Sequence, residues 1–310
     1  MRSVRLAESN PAPILVEEST AQPEPGEGEL LIRVCAAGVI STELLWYPTF
    51  HTKAGEVRRR AVPGHEFSGF VTAVGQGVGS LEIGREVFGM NDWFSDGALA
   101  DYCVAPFFAV APKPPQLSHV EAASVPISAL TAWQGLFDHA RLEAGERVLV
   151  HGGAGAVGSF AIQLARVHGA HVIATASAPN AELVASLGAE RVIDREKCRF
   201  EELVRDMDVI FDTVGGETLE RSWSLLAPAG RLVTVVSGAE GSSDPKVKQA
   251  FFVVEPNQKQ LYEIADLLED GRLRPVVDAV VQLSRAPEVY AGRLPRQHRG
   301  KVVVAIAAAN

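Results

Sequence analysis

From about residue 145 the chain alternates two hydrophobic patterns. Uninterrupted apolar runs, RVLVHGG, HVIATAS, RVID, DVIFDTVGG and GRLVTVVS, are separated by segments of helical period: AVGSFAIQLARVHG, AELVASLG, FEELVRD and ETLERSWSLL. Strands without polar alternation, each followed by a helix, predict a parallel sheet covered on both faces, a doubly wound fold. KQLYEIADLLEDG then reads as an amphipathic helix stopped by Gly271, and VVDAVVQL and KVVVAI as two further strands. Their period fits equally an extension of the parallel sheet or a return to the first part of the chain. No fixed-period repeat is present.

The first 120 residues follow another rule. Short β-prone runs (ELLIRVCAAGV, SGFVTAVG, REVFGM, ADYCVAP) separated by Gly and Pro predict a β-rich, barrel-like unit. Pro112, Pro114 and Pro115 then exclude a sheet interior, and Ser118 with Glu121 has the form of a capping box, so a domain boundary is expected near residue 120.

One stretch of the second half carries chemistry. VLVHGGAGAVGSFAIQLA holds a G-x-G-x-x-G at Gly153, Gly155 and Gly158, directly after a strand and opening a helix through Ala156 and Val157. Such glycines allow a tight turn, close approach of the backbone to a pyrophosphate and close helix–strand packing, with the positive helix terminus beneath the phosphates. A purely structural turn is the alternative; the strand before, the helix after and the further βα repeats favour a dinucleotide site. The next strand ends in Thr175, Ala176 and Ser177, without the carboxylate that would take a ribose 2′-hydroxyl. Ser177 can donate to a 2′-phosphate and Arg195 can supply the opposite charge, which favours NADP(H) over NAD. Otherwise Arg195 is a surface residue paired with Asp194 or Glu196.

The 310 residues suit about two domains, and 47% hydrophobic with 22% charged residues is the balance of a globular protein. A net charge of −9 argues against a nucleic-acid surface, and Arg58, Arg59 and Arg60 read as a solvated loop. Cys35, Cys103 and Cys198 are too far apart for a disulfide framework or a cysteine-built zinc site, which fits a reducing cytoplasm. MRSVRLAESNPAP is interrupted by Glu8, so no secretory signal is expected, and the longest apolar runs, such as KVVVAIAAA, fall short of the ~20 residues of a membrane span. VPGHEFSGF raises a separate question, because His65 and Glu66 between two glycines suit a metal ligand with its neighbour, a general acid or a satisfied polar knot.

The order of GEGELLIRVCAAGV, VPGHEFSGFVTAVGQGV, DGALADYCVAP, SALTAWQGLF, the glycine turn, FDTVGGETL and GKVVV resembles the medium-chain dehydrogenase/reductase superfamily, and within it the zinc-independent, zeta-crystallin-like quinone oxidoreductases. The resemblance implies an α/β protein: a GroES-like β-barrel catalytic domain over 1–120, a Rossmann doubly wound parallel-sheet domain over 121–260, and a return to the catalytic domain over 261–310. It implies an active site in the cleft between them and a homodimer. Zinc-dependent members carry cysteine where Ile40 stands and a second near Ile127; with only His65 left of three ligands, no metal is expected. His65 and Glu66 then become structural residues of the cleft wall, with a hydrogen bond from His65 near the substrate as the lesser alternative.

The resemblance also nominates side chains in STELLWYP. Thr42 matches a hydroxyl that relays protons in zinc-dependent relatives, Glu43 falls where aspartate is common, and Tyr47 is either a phenolic donor or a rim aromatic. Trp46 would be an apolar wall, and Trp93 either lines the cleft or packs. Thr131 matches a position close to the nicotinamide, Val236 and Ser237 should approach its carboxamide, and His151 should pack. Quinone reductases often have asparagine near Ile40, so the departure leaves the acceptor open. Without a Lewis acid, a conjugated acceptor such as a quinone, an enone or a 2-enoyl thioester is the expected small-molecule substrate, reduced by NADPH. The rivals are a pathway-specific enoyl reductase of secondary metabolism, a non-catalytic NADP-binding protein and a zinc alcohol dehydrogenase.

Overall fold

The computed structural model describes residues 1–7, 14–79 and 82–306. Glu8 and the end of the KVVVAIAAA run lie outside them. The chain opens with an antiparallel ribbon of β1 (Arg2–Leu6) and β2 (Leu15–Ser19), followed by β3 (Glu29–Val39), β4 (Glu66–Val74), β5 (Glu86–Met90), β6 (Tyr102–Pro106) and β7 (Val110–Pro112). After a helical passage come β8 (Arg147–His151), β9 (His171–Ala176), β10 (Arg191–Asp194), β11 (Met207–Asp212) and β12 (Leu226–Thr234), and at the end β13 (Val277–Gln282) and β14 (Lys301–Ala305).

The second group forms a parallel sheet in the order β10-β9-β8-β11-β12. Val148 and Val150 face a core completed by Leu130, Phe160, Ile162 and Ile264, whereas Leu149 faces the opposite core with Ile210, Phe200 and Leu219. Burial on both faces is why these strands lack polar alternation. The helices Ala156–Val167, Ala181–Ser186, Gly216–Ser222 and Gln258–Glu269 stand where their periodicity predicts. FEELVRD forms only a short 3₁₀ turn, Phe200–Glu202. Phe200 and Val204 still reach the core, but Arg199 and Glu201 pair locally and Asp206 turns into the left-handed region at φ 54°, which ends the segment before a helix can propagate. The capping box forms as expected: the Ser118 hydroxyl accepts from the Glu121 amide, and the Glu121 carboxylate accepts from the Ser118 amide.

The first group makes a seven-stranded sheet, β13-β14-β3-β4-β5-β7 with β6 also paired to β3. Its core holds Leu30, Ile32, Val34, Phe67, Val87 and Leu99. The last two strands therefore go back to the first domain, β14 pairing antiparallel with β3. Among the described residues no helix is long and apolar enough to cross a membrane.

The two domains are tied at several points. Gln258 donates to the Phe107 and Val110 carbonyls at 2.8 and 2.7 Å, and the Trp93 indole donates to the Val254 carbonyl at 3.3 Å. On the returning segment, the Gly300 amide donates to the Ala154 carbonyl inside the glycine turn at 2.7 Å. The deepest tie is Glu66, which is fully buried. One carboxylate oxygen accepts from the Ile127 amide at 2.9 Å, where the helix Pro126–Trp133 begins, and the other meets the Lys301 ammonium at 2.5 Å, at an angle too oblique for a well-formed hydrogen bond. Burial pushes the Glu66 carboxyl above the ordinary carboxylate range, opposed by the pull of Lys301. Opposite it on β3 stands Gly38, where a Cβ would fall 2.5 Å from the Glu66 carboxylate.

Breaking a buried ion pair by removing one partner costs about 3–5 kcal/mol, because the other charge is left uncompensated. Glu66→Gln and Lys301→Met should each lower unfolding free energy by an amount of that order in urea titrations, and the double variant should lose no more than the worse single one. Additive losses would show that the two groups do not act as a pair.

Candidate active site

A cavity of about 550 Å³ opens between the domains. Its floor is the glycine turn, contributed by Gly155, Ala156 and Val157. A helix beginning at Ala156 leaves its first amides without intrahelical acceptors, and they face a concave surface. At Gly155 an added Cβ would approach the Gly152 carbonyl oxygen at 3.2 Å and no other atom within 4 Å, so the side toward the cavity is clear; at Gly158 it would fall on the Gly152 carbonyl, so only glycine lets the helix seat on its strand. These residues fit a dinucleotide's phosphates.

The walls come from both domains. Ile40, Trp46, Trp93 and Phe94 belong to the first, Ile127 and Thr131 to the helix Pro126–Trp133, and Thr213, Val235 and Ser237 to the ends of the parallel strands. Trp46 lies on the wall expected of it and meets Trp93 edge to face at 5.3 Å; of the two alternatives for Trp93, lining the cleft and packing, the ring does both. Thr131 donates to the Ile127 carbonyl at 2.6 Å. Val236 is not a wall residue; it packs over Gly215, while its neighbours Val235 and Ser237 face the cavity.

Of the three side chains nominated for catalysis, only Thr42 lies on the wall. Tyr47 is 55% exposed and stacks on His51 at 4.1 Å outside the cavity. Glu43 is buried behind the wall, where its carboxylate accepts from the Gly64 amide at 3.0 Å, lies 2.7 Å from His65 Nδ1 and takes the Tyr290 hydroxyl. Burial, reinforced by Glu43, raises the Tyr290 phenol well above its ordinary value. The other nitrogen of His65 lies 3.3 Å from the Ser95 carbonyl.

The same geometry bears on the fit of a metal. Ile40 and Ile127 present carbon to the cavity, both nitrogens of His65 are engaged, and among the described residues no group of three His, Cys, Asp or Glu side chains could hold an ion. The donor set does not fit zinc.

Sequence reasoning missed three charged groups on the wall, Glu240 and two cations, Lys301 and Arg296, the latter held at 2.9 Å by Asp278, whose side chain is buried. Neither cation has a local signal, because each reaches the cavity only through the return of the last strands. A second cavity of about 320 Å³ lies beyond the ends of β9, β10 and β11. Thr175 and Arg195 line it, joined by Lys197, Arg199 and Arg221, a basic cluster whose first three members were legible in REKCR. Arg195 forms no ion pair among the described residues, and Asp194 pairs with Lys197 instead at 3.7 Å. Ser177 is not a wall residue of either cavity; its hydroxyl accepts from Asn180 at 3.2 Å.

Comparison with known proteins agrees with this architecture. Residues 26–115 match the family described as alcohol dehydrogenase GroES-like domain, and residues 187–304 that described as zinc-binding dehydrogenase. The chain is similar to a probable mitochondrial zinc-binding oxidoreductase of Arthroderma benhamiae, with 32% identity over 96% of this chain and 94% of the relative. It is similar to a chloroplastic NADPH-dependent alkenal/one oxidoreductase of Arabidopsis thaliana, with 32% identity over 93% of this chain and 75% of the relative. The structure of the quinone oxidoreductase from Coxiella burnetii superposes with a TM-score of 0.86 and 28% identity over 99% of both chains. A GroES-like barrel joined to a Rossmann sheet, a glycine turn at their cleft and these relatives together identify the chain: it belongs to the medium-chain dehydrogenase/reductase superfamily, on its quinone oxidoreductase branch.

Proposed function

We propose that this protein is a metal-independent, NADPH-dependent oxidoreductase that reduces quinones or α,β-unsaturated carbonyl compounds. The observation that carries the reading is the cavity itself: phosphate-ready backbone amides on its floor, and carbon side chains at Ile40 and Ile127 where a Lewis acid would need ligands. A simple ketone needs several kcal/mol of carbonyl polarisation to accept hydride. A conjugated acceptor does not, because the arriving charge spreads onto a distant oxygen. The alkenal/one and quinone oxidoreductases to which the chain is similar support the same substrate class.

When bound, NADPH supplies the hydride. The chain's own residues then have four tasks. The turn through Gly153, Gly155, Ala156, Val157 and Gly158 would take the pyrophosphate. Arg195, with Lys197, Arg199 and Arg221 around the second cavity, would take a 2′-phosphate, and the absence of a carboxylate at the end of β9 supports NADP over NAD. Thr131 and Ser237 line the cavity and would face the nicotinamide, and Trp46 and Trp93 offer flat apolar contact to a planar acceptor. Thr42 is the nominated hydroxyl that lies on the wall, and its role is to hydrogen-bond the acceptor's oxygen and relay to it a proton that the hydroxyl regains from solvent. Tyr47 drops out of this mechanism, and Glu43 acts only behind the wall.

In assays over a panel of quinones, enones and enoyl thioesters with NADPH and NADH in parallel, Arg195→Ala should cut kcat/KM for NADPH about tenfold, equivalent to the ~1.4 kcal/mol of one charged contact, and leave the NADH value within twofold. An unchanged NADPH-to-NADH ratio would remove Arg195 from the phosphate site. Thr42→Val should lower kcat by about 10²-fold, the lower end for a lost proton donor, at little change in KM for NADPH. Wild-type turnover in that variant would reassign the proton to solvent.

A further inference from the structure

His151 closes β8 immediately before the glycine turn; it is fully buried and takes no part in the chemistry above. Its ring is nevertheless bonded at both nitrogens. Nε2 lies 3.0 Å from the Ser222 hydroxyl, and Nδ1 lies 3.2 Å from the Thr175 hydroxyl. The direction of each bond follows from counting protons. Ser222 has one hydroxyl proton and gives it to the Thr218 carbonyl at 2.6 Å, so its oxygen accepts and Nε2 must carry hydrogen. In a neutral ring Nδ1 is then a lone pair, and the Thr175 hydroxyl donates to it. The Thr175 oxygen in turn accepts the Gly152 amide at 3.3 Å, while the Thr175 carbonyl accepts the Gly153 amide at 2.9 Å. Every donor in the chain Gly152, Thr175, His151, Ser222, Thr218 points the same way.

Burial holds the ring neutral, lowering its pKa to about 4 against the opposing charge of Asp212. Phe200 packs edge to face on it at 4.6 Å. Gly152, at the far end of the chain, adopts φ 75° and is the first residue of the turn that carries Gly153 and Gly155. The other end, Thr218, lines the basic second cavity together with His151 and Thr175.

We propose that His151, in its Nε2–H form, is a positioning residue for dinucleotide binding: through the Thr175 hydroxyl it orients the Gly152 amide and so sets the phosphate-binding turn. The inference rests on the reading that this turn takes a dinucleotide, and goes beyond it in assigning the turn's geometry to a buried side chain that acts on it through Thr175.

The test measures NADPH dissociation constants by calorimetry for wild type, His151→Phe, Thr175→Val, the double variant and Thr175→Ser, with kcat at saturating NADPH alongside. His151→Phe and Thr175→Val should each weaken binding five- to tenfold, and His151→Phe should keep kcat within twofold of wild type. The double variant should be no weaker than the worse single, because both break one chain, and Thr175→Ser, which keeps the hydroxyl, should bind like wild type. Wild-type affinity in Thr175→Val, or losses that multiply in the double variant, would overturn the proposal. Should His151→Phe fail to fold, the contrast of Thr175→Val with Thr175→Ser decides alone, since Val keeps the size of Thr without its hydroxyl and Ser keeps the hydroxyl. A wild-type protein that binds no dinucleotide at all would instead remove the cofactor reading.

Discussion

The buried carboxylate of Glu66 is the constraint around which the cleft is organised. It stands on β4 in the first domain, yet its two oxygens are claimed by the amide that opens the helix of the nucleotide domain and by the ammonium of the last strand. A carboxylate removed from water is costly unless its oxygens are matched, so three segments distant in sequence must converge for any of them to be satisfied. That convergence puts Ile127, Thr131 and Lys301 on one wall of one cavity. Gly38 belongs to the same arrangement, since any larger residue would displace the carboxylate.

Around this knot the cleft separates polar structure from reactive surface. Behind the wall Glu43 bonds both His65 and Tyr290, as well as the Gly64 amide, and braces the segment that carries Thr42 and Trp46. In front of the wall the surface is mostly apolar, with a few hydroxyls, the cations Arg296 and Lys301 and the carboxylate Glu240. An apolar cleft between the glycine turn and two indoles suits a planar, electron-poor acceptor better than a small polar alcohol. The pair His65 and Glu66 thus resolves into two structural residues with different tasks: the imidazole joins the bracing shell and the carboxylate joins the domains.

Much of this was legible in the sequence because it depends on local rules. The five parallel strands announced themselves by lacking polar alternation, and the glycine turn by standing between a strand and a helix. Ser118 and Glu121 announced the cap. FEELVRD misled because its helical period was real while its length was marginal; local ion pairs and a left-handed Asp206 left a single turn. Tyr47 was nominated by nearness to Thr42 along the chain, but a side chain five residues on, after a break in direction, faces solvent and stacks on His51. Lys301 and Arg296 were invisible for a physical reason, since each reaches the cleft only where the C-terminal strands return, a choice that periodicity left open; the bond from Ile127 to Glu66 joins residues 61 apart in sequence and has no local signal either.

The central claim, that this cleft delivers hydride to a conjugated acceptor with organic groups alone, is tested most directly by one comparison. NADPH oxidation is followed with an enone and with the saturated ketone of the same skeleton, in protein dialysed exhaustively against a strong chelator. The account predicts that the enone is reduced at the undialysed rate and that the saturated ketone is inert. Activity that disappears on dialysis and returns with zinc, or reduction of the saturated ketone at a comparable rate, would contradict it.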